Sequence, residues 1–329
     1  MIYHDDVYGA VTIDAPVILD LLESKAMQRL HGVLQHGVSA LIGITSPVTR
    51  FEHSVGAMLL VQRLGASLPE QIAALLHDVS HTAFSHVIDY VFDGHDSQSF
   101  HDEQKEAYLA GTDIPAVLAK HGFDWHDFLH EADFPLLEQP SPRLCADRLD
   151  YFLRDAPGLG LATSADTTAV LTHLVVADGR IVTDDLDAAR WLGYTFMKAD
   201  DASWANFREV GLYELTAQAI RRGLAAGAIT MDDIWGVDLP LWQKLQASPD
   251  AALQKWLTLI TLQTEFVWDE AAPTFRVSTK LRAIDPDVWD GAGVIRPLSQ
   301  LDPAFAQQRQ QYLHSKQGKW PMKVREHEN

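Results

Sequence analysis

The chain has 329 residues, 47% of them hydrophobic, and 45 acidic against 26 basic residues leave it with a formal charge of −19. That size supports a large core in one or two domains, no apolar run approaches the roughly 20 residues of a membrane span, and so acidic a surface disfavours long nucleic acid as a partner while leaving small anions open to a pocket with its own cations or metal. The single cysteine, Cys145, excludes an intrachain disulfide, and with the polar start MIYHDD it sets the expectation of a cytoplasmic protein.

In chain order, Asp14-Ala15-Pro16 opens a helix that carries Val17, Leu21, Leu22, Ala26 and Leu30 on its apolar side, with Pro16 in the first turn. Further helices fit 52–65, 69–79, 83–93, 98–110, 113–120 and 142–156. Cys145 falls in the last of these as a small core residue. The period then changes: apolar runs at 171–176 and 181–183 flank Asp178-Gly179, a hairpin signal. Helical pattern resumes near 185 and runs to Gly227, and 275–281 alternates apolar and polar like a short strand. The basic stretch at 316–325 reads as a solvated terminus. Without repeats or a long linker, the expected fold is mainly α: a helical core over 1–160 and a C-terminal helical elaboration over 161–329, with a β-hairpin near 171–183, packed as one unit.

The segment HDVSHTAFSH, His77 to His86, follows the apolar run Ile72-Ala73-Ala74-Leu75-Leu76 and concentrates three histidines and an aspartate at the end of a core helix. On a helix His77 and His81 lie one turn apart on one face, and Asp78 diverges from His77 by about 100°. Such a pair can share an ion if further ligands arrive from elsewhere, and His53 in RFEHSVG and Asp147 in LCADRLDYFLRDA are the candidates. Imidazole mixed with carboxylate suits iron, manganese, zinc, nickel or cobalt better than magnesium. Any one of the 15 histidines alone reads more simply as a hydrogen-bonded core residue; four groups from separate helical settings do not. His121, His126 and His130 form a second group, for which an acidic amphipathic helix with incidental histidines is the simpler account.

At this point the chain resembles the HD-domain metal-dependent phosphohydrolases. RFEHS, HD at 77–78 and the Asp147 of ADRLDYFLRD are similar to that family's H…HD…D signature. The opening Asp6-Val7-Tyr8-Gly9-Ala10-Val11, the QRL at 28–30 and the FSH at 84–86 resemble the branch of deoxynucleoside triphosphate triphosphohydrolases, in consistent order from residue 5 to about 160. The resemblance implies His53, His77, Asp78 and Asp147 as metal ligands, with magnesium optionally accompanying the substrate phosphates. It places catalytic or phosphate-contacting histidines at His81, His86 and His101, with Asp89 orienting a histidine. His86 and Asp89, three apart on a helix, can meet, which suits general acid catalysis.

The same resemblance implies phosphate binding by Arg50, a nucleotide pocket lined by Arg148, Tyr151 and Asp155, and a sugar 3′-hydroxyl read by Gln35. His36 stands where the branch has an apolar residue that crowds out a ribose 2′-hydroxyl. A supporting tyrosine has no clear match, the nearest stretch being 205–208, and no regulatory segment is evident. The expected activity is metal-dependent hydrolysis of a small phosphorylated substrate, a nucleotide first, in the manner of the triphosphohydrolases. A nucleoside monophosphatase or general phosphomonoesterase or phosphodiesterase is the alternative. A di-iron oxygenase and a nucleotide-sensing binding protein rank lower, and self-association is left open.

Overall fold

A capping box starts the central helix Arg50–Arg63: Thr49 Oγ1 accepts from the Glu52 amide while Glu52 Oε2 accepts from the Thr49 amide. Ser67 caps Leu68–Leu76, whose first turn holds Pro69. The two helices pack on each other, and Ala146–Gly158 packs on the first. Val55, Met58, Ile72, Leu75, Leu149 and Phe152 are fully buried between them, each stabilising the core by about 1.5–3 kcal/mol relative to exposure. The computed structural model describes residues 1–92 and 94–325.

Several predicted helices are shorter than their apolar pattern, for local reasons. Ser24 takes an extended backbone and accepts from the Met27 amide, splitting the first predicted helix into Pro16–Leu22 and Lys25–Arg29. The predicted 69–79 stops at Leu76 with His77 as its C-cap, so His77 and His81 do not share a helix face. The predicted 83–93 contracts to Val87–Val91, because Phe84 (φ 61°) and Ser85 (φ 52°) adopt left-handed conformations that a right-handed helix cannot continue. Asp93, its predicted last residue, lies outside the described residues. Trp125–Phe128 is a single 3-10 turn and not an amphipathic helix, with His126 exposed and 2.6 Å from Asp124.

The hairpin is present as Leu174–Ala177 and Arg180–Thr183, joined through Asp178 (φ 52°) and Gly179 (φ 70°), two successive positive-φ residues that match the strand twist. Asp287–Trp289 and Ile295–Pro297 extend it to four strands. The strand predicted over 275–281 ends at Val277, in a three-stranded sheet with Phe266–Trp268 and Trp320–Val324. A short N-terminal ribbon pairs Ile2–Asp5 with Gly9–Thr12. The helical stretch after 185 comprises Leu186–Ala199 and Phe207–Ala225, separated by a π turn at Asp200–Trp204.

Among the described residues three buried clusters result, the smallest around Ala189, Met197, Leu298 and Phe305. Of the larger two, the first joins the helices just described to Leu192, Phe196 and Ile284, and the second packs Phe84, Val87, Ile88 and Tyr90 against Leu212, Leu215, Trp320 and Met322. A cavity of about 360 Å³ is lined from both sides, by Tyr151 and Trp204 of the first and Tyr90 and Tyr213 of the second. No helix among the described residues is long and apolar enough to cross a membrane.

Candidate metal centre and pocket

Four side chains meet beside this cavity; His77, Asp78 and Asp147 line it, and His53 is buried behind them. His53 comes from Arg50–Arg63, His77 and Asp78 from the end of Leu68–Leu76, and Asp147 from the first turn of Ala146–Gly158. His53 Nε2 lies 3.2 Å from His77 Nε2 and 3.0 Å from Asp147 Oδ1, and His77 Nε2 lies 3.5 Å from Asp147 Oδ1. Asp78 closes the group, with Oδ2 3.5 Å from His53 Nε2 and Oδ1 3.6 Å from His77 Nε2. Neighbouring donors bound about 2.0–2.2 Å from one ion stand roughly 3.0–3.5 Å apart, so the spacing of His53, His77 and Asp147 fits a single shared cation, with Asp78 beside them.

Proton bookkeeping agrees. His53 Nδ1 lies 2.8 Å from the Asp150 carboxylate and His77 Nδ1 lies 2.8 Å from the Ala74 carbonyl, acceptors that require a proton on each Nδ1. In the neutral rings the two Nε2 lone pairs then face each other, which only a cation or an added proton relieves. Burial works against charge on His77, but Asp78 and Asp147 outweigh it and push its pKa up to about 10. A divalent ion would take the place of that proton.

A surrounding shell holds these candidate ligands in place. Asp150 is fully buried and also accepts from Tyr8 Oη and Arg154 Nε, both at 2.8 Å, while Arg154 Nη2 donates to Asp5 at 2.7 Å. These contacts give the N-terminal Asp-Val-Tyr-Gly opening its place, since the turn presents Tyr8 to the ligand's carboxylate. Gly56 makes room: a Cβ there would stand 2.0 Å from Asp150 Oδ1 and 1.9 Å from Arg154 Nη2. Arg50 Nη1 donates to Asp78 at 2.6 Å and its Nε to Ser85 Oγ at 3.0 Å, tying the left-handed segment to a ligand. Burial opposes charge on Asp78, yet Arg50 and His77 hold its carboxyl well below the usual range.

Beside the ligands His81, His86 and His101 line the cavity. Their ring nitrogens lie close together, but His81 and His101 stack face to face, 3.8 Å apart at 18°. Lone pairs of stacked rings run parallel and do not converge, so the pair suits separate oxygens of one ligand better than a single ion. His86 Nδ1 lies 3.1 Å from Asp89 Oδ2, and Asp89, 2% exposed, also accepts from the Phe100 amide at 3.0 Å. The contact with Asp89 does not raise the basicity of His86. Burial, then Arg50, His101, Arg282 and Lys280, keeps its pKa well below the ordinary value. Burial and His81 similarly lower His101 to about 3.

Gln35, His36, Tyr151, Ser203, Trp204, Glu209 and Tyr213 also line the cavity, with the Tyr151 ring 6.2 Å from that of His53. His36 Nε2 lies 2.9 Å from Asp155 Oδ1, and Trp204 Nε1 donates to Asp155 Oδ2 at 2.8 Å. Asp155 therefore sits behind His36 and is not a lining residue, unlike the role implied by resemblance. Arg148 lines the cavity but is turned to Glu138 (3.3 Å) and the Arg143 carbonyl (2.6 Å). Asp238 ties two pocket segments together, accepting from the amides of Phe84 (2.7 Å) and Leu34 (2.9 Å). Asp150, Asp238, Glu209, Tyr213, Lys280 and Arg282 escaped the sequence reading. Only Asp150 left a signal there, as a carboxylate three residues beyond a ligand on the same helix.

An HD-domain model matches residues 50–155, the span holding all four candidate ligands. The chain is 39% identical over 324 residues to the metal-dependent phosphohydrolase cns2 of Cordyceps militaris, covering 96% of this chain and 93% of that protein. The crystal structure of a phosphohydrolase from Bacteroides thetaiotaomicron covers 99% of this chain and 100% of its own, with a TM-score of 0.68 at 18% identity, a likeness of fold. A deoxynucleoside triphosphate triphosphohydrolase SAMHD1 homolog of Dictyostelium discoideum is 25% identical over 213 residues, covering 55% of this chain and 40% of that protein. The chain belongs to the HD-domain family of metal-dependent phosphohydrolases.

Proposed function

We propose that the protein hydrolyses a phosphate ester or anhydride of a nucleotide, with the phosphate under attack at the His53–His77–Asp78–Asp147 cluster and His86 as general acid. The observation that carries this reading is the sharing of one cavity: His77, Asp78, Asp147 and His86 line it together with Gln35, Tyr151, Trp204 and Tyr213. When bound, a divalent transition metal supplies a Lewis acid that polarises the phosphate and acidifies its water. Asp89 holds the His86 Nδ1 proton and leaves Nε2 for the leaving oxygen. Burial and nearby cations hold the His86 pKa below its ordinary value; a phosphate anion offsets those cations and favours the protonated acid. His81 Nε2 lies 3.2 Å from Asp78 Oδ1, while His81 Nδ1 and His101 Nδ1 are open to other phosphate oxygens, and the aromatic lining gives a base apolar faces to lie against.

Triphosphate release, as in the triphosphohydrolase branch, and orthophosphate release from a monoester both fit this chemistry. The test is a product screen of manganese-loaded protein over ribo- and deoxyribonucleoside mono-, di- and triphosphates, with p-nitrophenyl phosphate as the aryl control. Turnover of at least one nucleotide class well above the aryl ester supports the reading. Turnover of the aryl ester alone makes the protein a general phosphomonoesterase.

A further inference from the structure

The segment 278–286, between strands Phe275–Val277 and Asp287–Trp289, has no regular structure yet lines the cavity through Lys280, Leu281, Arg282, Ala283 and Ile284. It is pinned along its length. Tyr90 Oη donates to Thr279 Oγ1 at 3.1 Å, the Arg282 amide to Asp200 Oδ2 at 3.1 Å, Arg309 Nη2 to the Ala283 carbonyl at 3.0 Å and the Asp285 amide to the Pro142 carbonyl at 2.9 Å. A strap so held presents its side chains in fixed places.

Those side chains differ from the other cations of the cavity wall. Arg50 is neutralised by Asp78 at 2.6 Å and Arg148 by Glu138 at 3.3 Å. Among the described residues Lys280 has no ion pair, and the Arg282 guanidinium meets only the neutral Gln98 amide oxygen at 2.5 Å and the Lys280 carbonyl at 3.2 Å. Two unpaired like charges two residues apart repel, and Lys280 is pulled below its usual pKa by burial and then by Arg282. Both also act on His86 from within the cavity. Asp147 and Glu138 act on Lys280, and Asp200 on Arg282, but only from a distance or through the Arg282 amide, so neither cationic head group is held in a direct ion pair among the described residues.

We propose that Lys280 and Arg282 bind a second phosphate of the substrate, so that the preferred class is a nucleotide carrying two or more phosphates. This rests on the nucleotide-hydrolase reading of the pocket and names the substrate class within it. Charge-assisted hydrogen bonds are the strong ones in such sites, so the second phosphate adds affinity that a monophosphate cannot gain.

The experiment is calorimetric binding of methylphosphonate and methylenediphosphonate to the manganese-loaded full chain, with metal retention checked after each titration. Neither probe is hydrolysed, so the comparison reads binding alone, whatever the turnover screen returns. Wild type is expected to bind the diphosphonate at least tenfold more tightly than the monophosphonate. Lys280→Gln and Arg282→Gln should each remove most of that preference while changing monophosphonate affinity less than threefold. Equal affinity of wild type for the two probes, or equal losses on both probes in the variants, overturns the proposal. Lys280 has no ion pair to lose among the described residues, so its substitution should leave the fold intact, which a melting curve checks.

Discussion

Asp150→Asn isolates the shell behind the metal ligands. The carboxylate is fully buried and receives three donors, His53 Nδ1, Arg154 Nε and Tyr8 Oη, each at 2.8 Å. An amide of the same shape has a single acceptor oxygen, so at least one donor meets an NH₂ group, and the negative charge that orients His53 is gone. Losing such an outer partner typically costs 10–100-fold in metal affinity, equivalent to about 1.4–2.7 kcal/mol. Arg154 keeps Asp5 at 2.7 Å, which limits the fold's own loss to about 1–3 kcal/mol. The assay is manganese affinity by chelator competition, paired with melting curves of metal-free and metal-loaded protein. Tyr8→Phe, which leaves the His53–Asp150 contact intact, should weaken affinity less than threefold. A folded Asp150→Asn protein with wild-type affinity would refute the argument that His53 depends on its second contact.

His86→Ala should retain its metal and lose roughly 10²–10⁴ in kcat on nucleotides, with a much smaller loss on p-nitrophenyl phosphate, whose leaving group needs no proton; equal losses would assign His86 to positioning. Burial raises the Asp238 carboxyl to about 7 in the fold, above its value in the unfolded chain, so its favourable contribution is complete below about pH 4 and fades as pH rises through 7. The stability of wild type relative to Asp238→Asn should therefore fall across that window, by up to about 4 kcal/mol, in denaturant titrations at pH 4 and 8; a constant difference would contradict it. His36→Leu should shift the kcat/KM ratio for GTP and dGTP towards deoxyribose by about ten- to a hundredfold, the cost of about 1–3 kcal/mol for a lost buried hydrogen bond; an unchanged ratio would place His36 away from the sugar.

The residues that the fold brings together as a candidate ligand cluster were legible because they lie in short motifs: His53 within RFEHS, His77-Asp78 after an apolar run, Asp147 in the first turn of an amphipathic helix. The helices carrying them were legible from periodicity, and the hairpin from its Asp-Gly turn. Local backbone choices were not. Periodicity carried the 69–79 and 83–93 helices through His77 and Phe84, whereas Arg50, Asp238 and the Leu34 carbonyl hold the intervening turn in left-handed conformations through contacts distant in sequence. Part of the pocket lining was invisible for a related reason. Glu209, Tyr213, Lys280 and Arg282 have no motif of their own, and only the packing of the C-terminal helices and strap brings them to the cavity.

Metal content tests the central claim most directly. Asp147 is the ligand to change, because its contacts are the other ligands and its side chain is 27% exposed, which spares the core. Elemental analysis of wild type should return about one transition metal per chain, removed by chelation together with phosphohydrolase activity and restored with it. Asp147→Ala should return almost none and should be inactive, with an unchanged far-ultraviolet helical spectrum. Full metal occupancy in Asp147→Ala, or undiminished turnover by metal-free wild type, would contradict the assignment of the centre.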